Sequence, residues 1–208
     1  MKIGLFGGTF DPPHNAHIAV AQKALCEYSL DRIIFIPAGD PPHKKDKEKT
    51  DKRIRLKMIE FALTGFDFFC VSDYEINLQK PSYSVNTVKF FKEKYPKDEL
   101  YFIIGGDSFR DIPTWYNYRE MLTLCSLIVL ARPDTPKNKL LELFDGDEKP
   151  PRVFYSDSLY MDVSSTDIRK KIACGEDVSN LVPAKVLDVI TKENLYKEIT
   201  DGTSRDSN

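Results

Sequence analysis

The chain has 208 residues, 41% of them hydrophobic, and a formal net charge of −2 from 30 basic and 32 acidic side chains. That length allows one sizeable core, and the balanced charge gives no general attraction to polyanions, so nucleic acid is not an expected partner. No run approaches the roughly 20 apolar residues of a membrane span, no signal-type segment precedes the first strand, and Cys26, Cys70, Cys125 and Cys174 form no CxxC pair and mostly lie in apolar runs. A cytoplasmic protein with reduced, core-type cysteines and no membrane partner is expected.

In chain order, "KIGLF" from Lys2 is the first apolar, β-branched run, and helical periodicity follows from Ile18 to Leu25. "RIIFIP" from Arg32 is the second strand. The charged run Lys44–Lys52 reads as a solvated loop, with Lys44 kept apart because it follows the strand closely. "RIRLKMIEFAL", Arg53 to Leu63, repeats apolar residues three and four apart and predicts a helix. Further strands are read in "FFCVS" from Phe68, "LYFIIG" from Leu100, "LIVLA" from Leu127 and "RVFYS" from Arg152. Two helices close the chain: "VSSTDIRKKIACG", with Ser164, Ser165 and Thr166 as cap types and Gly175 as a stop, and "PAKVLDVITKENLY", with Pro183 in its first turn.

Alternation of this kind implies an α/β fold: a Rossmann-like open parallel sheet with helices on both faces and a small helical C-terminal part. One domain is expected over residues 1–199, with a disordered polar tail over 200–208. The sequence leaves a homo-oligomer open.

Chemistry concentrates at the strand ends, where ligands of open parallel sheets bind. "GLFGGTFDPPHNAH", Gly4 to His17, follows the first strand with Gly7, Gly8, Thr9 and Phe10, a turn whose backbone N–H groups suit a phosphate. A helix start near Pro13 to Ala16 then puts His14 and His17 three residues apart on one face. Neither GxxxxGK[ST] nor GxGxxG occurs, and the HxxH pair lacks a convincing third metal ligand, so phosphate is preferred to zinc and no protein metal site is assigned. "SSTDIR" is a second phosphate candidate: its hydroxyls suit plain capping, while Arg169 adds a charge that a cap does not need.

"GGTFDPPHNAH" with the late "SSTDIR" resembles the nucleotidyltransferase superfamily with its HxGH and SSTxxR-type motifs. "PPHK", "SYS" at Ser82 to Ser84, "GGDS" at Gly105 to Ser108, "TWY" at Thr114 to Tyr116 and "ARP" at Ala131 to Pro133 are similar to the bacterial nicotinate-nucleotide adenylyltransferases. The resemblance runs from Lys2 to about Tyr196. It implies an enzyme of NAD biosynthesis that joins ATP and nicotinate mononucleotide into deamido-NAD and pyrophosphate, with Mg²⁺ delivered by ATP. By the same resemblance His14, His17, Lys44 and Arg169 are catalytic, and Gly7, Gly8, Thr9, Phe10, Ser165 and Thr166 join His14, His17 and Arg169 around ATP. Thr9, Lys44, Ser84, Asp107, Trp115, Tyr116 and Arg132 match positions that bind nicotinate mononucleotide, with Trp115 stacking on the pyridine and the Ser84 and Tyr116 amides facing its carboxylate. Without the resemblance, Trp115 reads as a packing residue, Asp107 as a helix cap and Arg132 as a strand-end surface residue.

Two positions depart from the pattern: Ala16 replaces the Gly of HxGH, and Ser84 stands where Thr is common. A slight shift at Ala16 is expected, not loss of function. The expected reaction is direct in-line attack of the mononucleotide phosphate on the α-phosphorus, and the acid substrate should be preferred to the amide. Rival readings are a transferase for nicotinamide mononucleotide or phosphopantetheine, for which "TWY" and "SYS" have no use, and a nucleotide sensor, which has no need of His14, His17 and Arg169 together. An NAD-dependent oxidoreductase would carry GxGxxG.

Overall fold

The six apolar runs form six strands: β1 (Lys2–Gly8), β2 (Arg32–Pro37), β3 (Phe69–Val71), β4 (Glu99–Gly105), β5 (Ser126–Ala131) and β6 (Val153–Asp157). The structure is a computed structural model that describes residues 1–39, 50–79, 81–131, 151–157 and 163–197. All the strand pairs are parallel, in the order β3-β2-β1-β4-β5-β6. The sequential order reverses between β1 and β4, where Phe6 lies opposite Ile103. A crevice at the carboxyl ends of these two strands is therefore the topological place for a ligand.

Residues alternate across the sheet and build a core on each face. Phe6, Ile33, Phe35, Tyr101, Ile103, Ile128 and Leu130 pack against α1 (Asn15–Glu27), α2 (Lys52–Ala62) and the two C-terminal helices, α6 (Ser165–Ala173) and α7 (Ala184–Lys192). Ile3, Leu5, Ile34, Ile36, Phe102, Leu127 and Val129 face α3 (Ser84–Lys94), α4 (Gly106–Arg110) and α5 (Tyr118–Leu124). The sequence predicts no helix at α3 or α5, and at α4 only a cap at Asp107, which lies inside the helix, with Gly105 as the N-cap residue. For α3 a signal is present, since Val85, Val88 and Phe91 recur every third residue and are all buried. The β-branched residues around them favour strand, and packing on the sheet overrides that preference.

The helix ends explain smaller differences. Asp51 caps α2, its carboxylate accepting from the Arg53 N–H at 2.8 Å, so the helix begins at Lys52 within the charged run. Gly175 ends α6 with φ +73°, which glycine adopts without cost. Pro183 is the N-cap residue of α7 and stands one position before the first turn in which the sequence places it. The cysteines also differ from expectation: only Cys125 is buried, while Cys26, Cys70 and Cys174 are exposed, and all are free. Cys70 lies on the outermost strand and Cys174 at a helix end, positions where an apolar run in sequence does not imply burial on both sides. No helix among the described residues is long and apolar enough to cross a membrane.

Candidate active site

A cleft of about 350 Å³ opens at the reversal point and is lined by residues of both strand ends. Phe6, Gly7, His14, Ala16 and His17 come from β1 and the start of α1, Gly105 to Ser108 from the end of β4 and α4, and Ser164 and Ser165 from the start of α6. Two helix N-termini, α1 and α6, thus meet at one crevice, and both present positive dipole ends that suit an anion.

The β1–α1 turn is shaped by its aromatic residue. Phe10 adopts φ +51°, an unusual conformation for a side chain of this size. Its ring is 2% exposed and packs against Phe6 at 5.6 Å and Phe35 at 5.8 Å between centroids, which holds the backbone there. A Cβ on Gly8 would lie 2.7 Å from that ring, so glycine is required for the turn to fold back on itself. The Asp11–Pro12 peptide that follows is cis.

His14 is the N-cap residue of α1 and His17 its third residue. The His14 backbone N–H donates to Nδ1 of His17 at 3.2 Å, a side chain reaching back to the cap as in a capping box. An accepting Nδ1 must carry a lone pair, so the proton of a neutral His17 ring resides on Nε2 and is available as a donor. The two imidazoles stack with centroids 3.7 Å apart, and His17 also meets the Phe10 ring edge at 5.0 Å. Burial lowers His14 to about 4, and burial together with its neighbour His14 holds His17 well below the usual histidine range. Both rings are therefore neutral donors near neutral pH, and Nδ1 of His14 is buried with no partner among the described residues.

The second predicted grip docks onto this turn. Ser164 caps α6, its Oγ accepting from the Asp167 N–H at 3.1 Å. Ser165 Oγ donates to the Pro12 carbonyl at 2.9 Å, and Arg169 Nη1 donates to the Asp11 carbonyl at 2.7 Å. Arg169 Nη2 reaches Thr166 Oγ1 at 3.3 Å. Hydrogen bonds to the turn thus occupy part of the fork and leave further N–H donors for a phosphate.

Ser84, Trp115 and Tyr116 form a separate group outside the cleft lining. Ser84 is the first residue of α3, and its neighbour Tyr83 packs on Tyr116 with ring centroids 4.8 Å apart. Trp115 meets Phe102 edge-on at 6.3 Å, at the rim of the core. Asp107 lies in α4 at the cleft, largely exposed, with Arg110 at 3.4 Å. Lys44, Arg132 and the tail from residue 200 lie outside the described residues. Among the described residues no group of three or more His, Cys, Asp or Glu is placed to hold a metal ion.

The sequence reading missed three residues of the site's support. Asp11 is 4% exposed; its Oδ1 accepts from Tyr196 Oη at 2.5 Å and its Oδ2 from the Thr50 N–H at 3.3 Å. Burial and the Asp11 carboxylate push the Tyr196 phenol up, so it stays protonated and remains a donor. Arg55, 1% exposed, donates from Nη1 to the Thr9 carbonyl at 2.7 Å, from Nη2 to the Ala38 carbonyl at 2.7 Å and from Nε to the Thr50 carbonyl at 3.1 Å. In the sequence this arginine is one of several charges in "KRIRLK", and nothing there separates it from a solvated helix face.

Comparison with known proteins places the fold in a family. The family model for cytidylyltransferase-like proteins matches residues 5–171. A protein of Clostridium novyi called a probable nicotinate-nucleotide adenylyltransferase is 43% identical over 198 residues, covering 94% of this chain and 99% of its own. One of Clostridium tetani with the same name is 42% identical, covering 94% and 99%. The fold is similar to that of Plasmodium falciparum nicotinic acid mononucleotide adenylyltransferase complexed with NaAD, with a TM-score of 0.78 at 22% identity over 94% of this chain and 97% of that one. By the family match and these identities over nearly its whole length, the chain belongs to the cytidylyltransferase-like family and, within it, to the nicotinate-nucleotide adenylyltransferases.

Proposed function

We propose that the protein transfers the adenylyl group of ATP to nicotinate mononucleotide by direct in-line displacement. A phosphate oxygen of the mononucleotide forms a new bond to the α-phosphorus as the bond from that phosphorus to the bridging oxygen of pyrophosphate breaks. No covalent intermediate with the enzyme is involved. The observation that carries this reading is the meeting of two helix starts and two neutral histidines in one cleft at the reversal point of the sheet.

The chain contributes position and fixed dipoles. The amides of the Gly7–Phe10 turn, Nε2–H of His17, His14 and the free part of the Arg169 fork hold the ATP phosphates, with Ser165 and Thr166 at the start of α6. Neutral histidines suit this task, because they offer hydrogen bonds without a desolvated charge in the free protein. ATP enters as its Mg²⁺ complex, whose ion shares the phosphate charge and prefers phosphate oxygens and water to a protein cage.

For the second substrate, Ser84 and Tyr116 support the acid over the amide. Tyr83, the N-cap residue of α3, makes no side-chain cap bond, so the first N–H groups of that helix remain for a carboxylate. Packing of Tyr83 on Tyr116 brings the two loops together, with Trp115 beside them as the stacking ring. A carboxamide would set its NH₂ against these donors. Asp107, Lys44, Thr9 and Arg132 complete the set by resemblance. The free cysteines support a reducing, cytoplasmic setting.

The test is pyrophosphate release from ATP and Mg²⁺ with nicotinate mononucleotide, nicotinamide mononucleotide and phosphopantetheine in parallel, with dinucleotide product confirmed by mass. Strong preference for the nicotinate acid is expected; turnover only with another acceptor overturns the substrate, and ATP binding without turnover overturns the transfer. His17→Ala should lose about 10²–10³ in kcat, on the order of 3 to 4 kcal/mol, as for other lost donors to a charged transition state. Full turnover by that variant would remove His17 from the mechanism.

A further inference from the structure

The Arg55 fork meets the backbone at three places around the site. Nη1 donates to the Thr9 carbonyl at 2.7 Å, Nη2 to the carbonyls of Ala38 at 2.7 Å and Gly39 at 3.4 Å, and Nε to the Thr50 carbonyl at 3.1 Å. These carbonyls belong to the phosphate turn after β1, the end of β2 and the segment leading into α2. The guanidinium is 1% exposed, and so many fixed donors from one planar group suit Arg and no other side chain.

The bond to Thr9 has a consequence for the next residue. The Thr9–Phe10 peptide is planar and trans, so its N–H points opposite to its C=O. With the Thr9 carbonyl held against Arg55, the Phe10 N–H faces away from the buried fork. No acceptor for that N–H lies among the described residues. Phe10 at φ +51° is in a conformation that its residue type does not favour by itself, so the orientation of this peptide needs an external hold.

We propose that Arg55 is a positioning residue for adenylyl transfer: by pinning the Thr9 carbonyl it fixes the Thr9–Phe10 peptide so that the Phe10 N–H donates to an ATP phosphate. The proposal rests on the reading of the Gly7–Phe10 turn as the phosphate cradle. Arg55 itself does not touch the nucleotide; it determines whether one donor of the cradle points at it.

The first experiment compares Arg55→Lys with the wild type in steady-state kinetics, with the folded fraction of each measured by circular dichroism. Lysine keeps the buried cation but cannot span these carbonyls with a rigid fork. The expected result is a loss of about 10-fold or more in kcat per folded molecule, approaching the effect of a lost transition-state donor. A kcat per folded molecule within twofold of wild type overturns the proposal. Should Arg55→Lys not fold, the wild type answers alone: in protein labelled with ¹⁵N at phenylalanine, the Phe10 amide, assigned by Phe10→Leu, should move downfield on binding of Mg²⁺ with a non-hydrolysable ATP analogue. An unmoved Phe10 amide in the saturated complex overturns the proposal. His17→Ala in the same assay separates the two readings: loss there with none in Arg55→Lys leaves the cradle intact and removes Arg55, whereas loss in neither removes the cradle.

Discussion

Two stacked imidazoles, both held neutral, make the stability of the folded chain depend on pH in a calculable direction. His14 is 5% exposed and falls to about 4 in the folded protein, while unfolding returns it to its ordinary value of 6.5. Between those values the unfolded chain binds more protons, so stability decreases as pH falls from about 6.5 toward 4 and is unaffected by this group above. At pH 5 the penalty is about 2 kcal/mol. His17 acts in the same direction. His14→Asn removes one titrating ring while keeping a polar cap, so the wild type should lose about 2 kcal/mol more than the variant between pH 7 and pH 5 in urea denaturation. Equal pH slopes for the two proteins would show that His14 is not held neutral by burial. The histidines themselves were legible in the sequence, because a Gly-rich turn, a Pro pair and HxxH on one helix face point to phosphate without any knowledge of packing. Arg55 and Asp11 were not, because a charge that turns inward to satisfy carbonyls looks the same in sequence as one that faces water.

At the scale of elements, the C-terminal helices are fastened to the β1–α1 turn and the start of α1 at several points. Asn15 of α1 donates its backbone N–H to the Leu181 carbonyl at 2.9 Å and its side-chain amide to Asn180 at 3.0 Å. Ser165, Arg169 and Tyr196 converge on Pro12 and Asp11. Of these, the Tyr196 bond is the one whose loss strands a buried carboxylate oxygen. Tyr196→Phe keeps the ring and removes only the donor, and leaving such an acceptor unpaired costs about 1–3 kcal/mol. For a chain of this length that corresponds to a fall of about 3 to 10 °C in Tm, measurable by calorimetry. A Tm equal to that of the wild type would mean that water replaces the phenol and that the clasp carries no energy. The capping serines and Gly175 were readable as the limits of α6, and the apolar runs gave all six strands. The clasp was invisible, since Asp11 and Tyr196 are 185 residues apart and only the fold joins them. Helix α3 escaped for a different reason: its residues favour a strand, and the sheet beneath Val85, Val88 and Phe91 decides the matter.

Over the whole molecule, the question is whether the C-terminal helical part unfolds with the sheet or apart from it. Val186, Val189 and Ile190 of α7 and Ile168 of α6 are each no more than 3% exposed and belong to the same core cluster as Phe6, Phe35 and Ile103 of the sheet. Each such side chain contributes about 1.5–3 kcal/mol by its burial, so what the two helices bury in this shared core is comparable to the net stability of a domain. Removing them would uncover the core side of α2, the helix against which α7 packs and whose Met58 and Ile59 are fully buried. The other face, closed by α3, α4 and α5, has its own cluster, but both clusters share the six strands and neither can persist when the sheet dissolves. The expected behaviour is therefore a single cooperative transition, with calorimetric and van't Hoff enthalpies equal, and a shift of the whole transition to higher temperature when Mg²⁺ and ATP are added. A chain ended at residue 182, before α7, should fail to fold to that transition. Two resolved transitions in the intact protein, or a truncated chain that melts like the wild type, would show instead that the helical part is an independent unit, and the clasp on Asp11 would then be a contact between units.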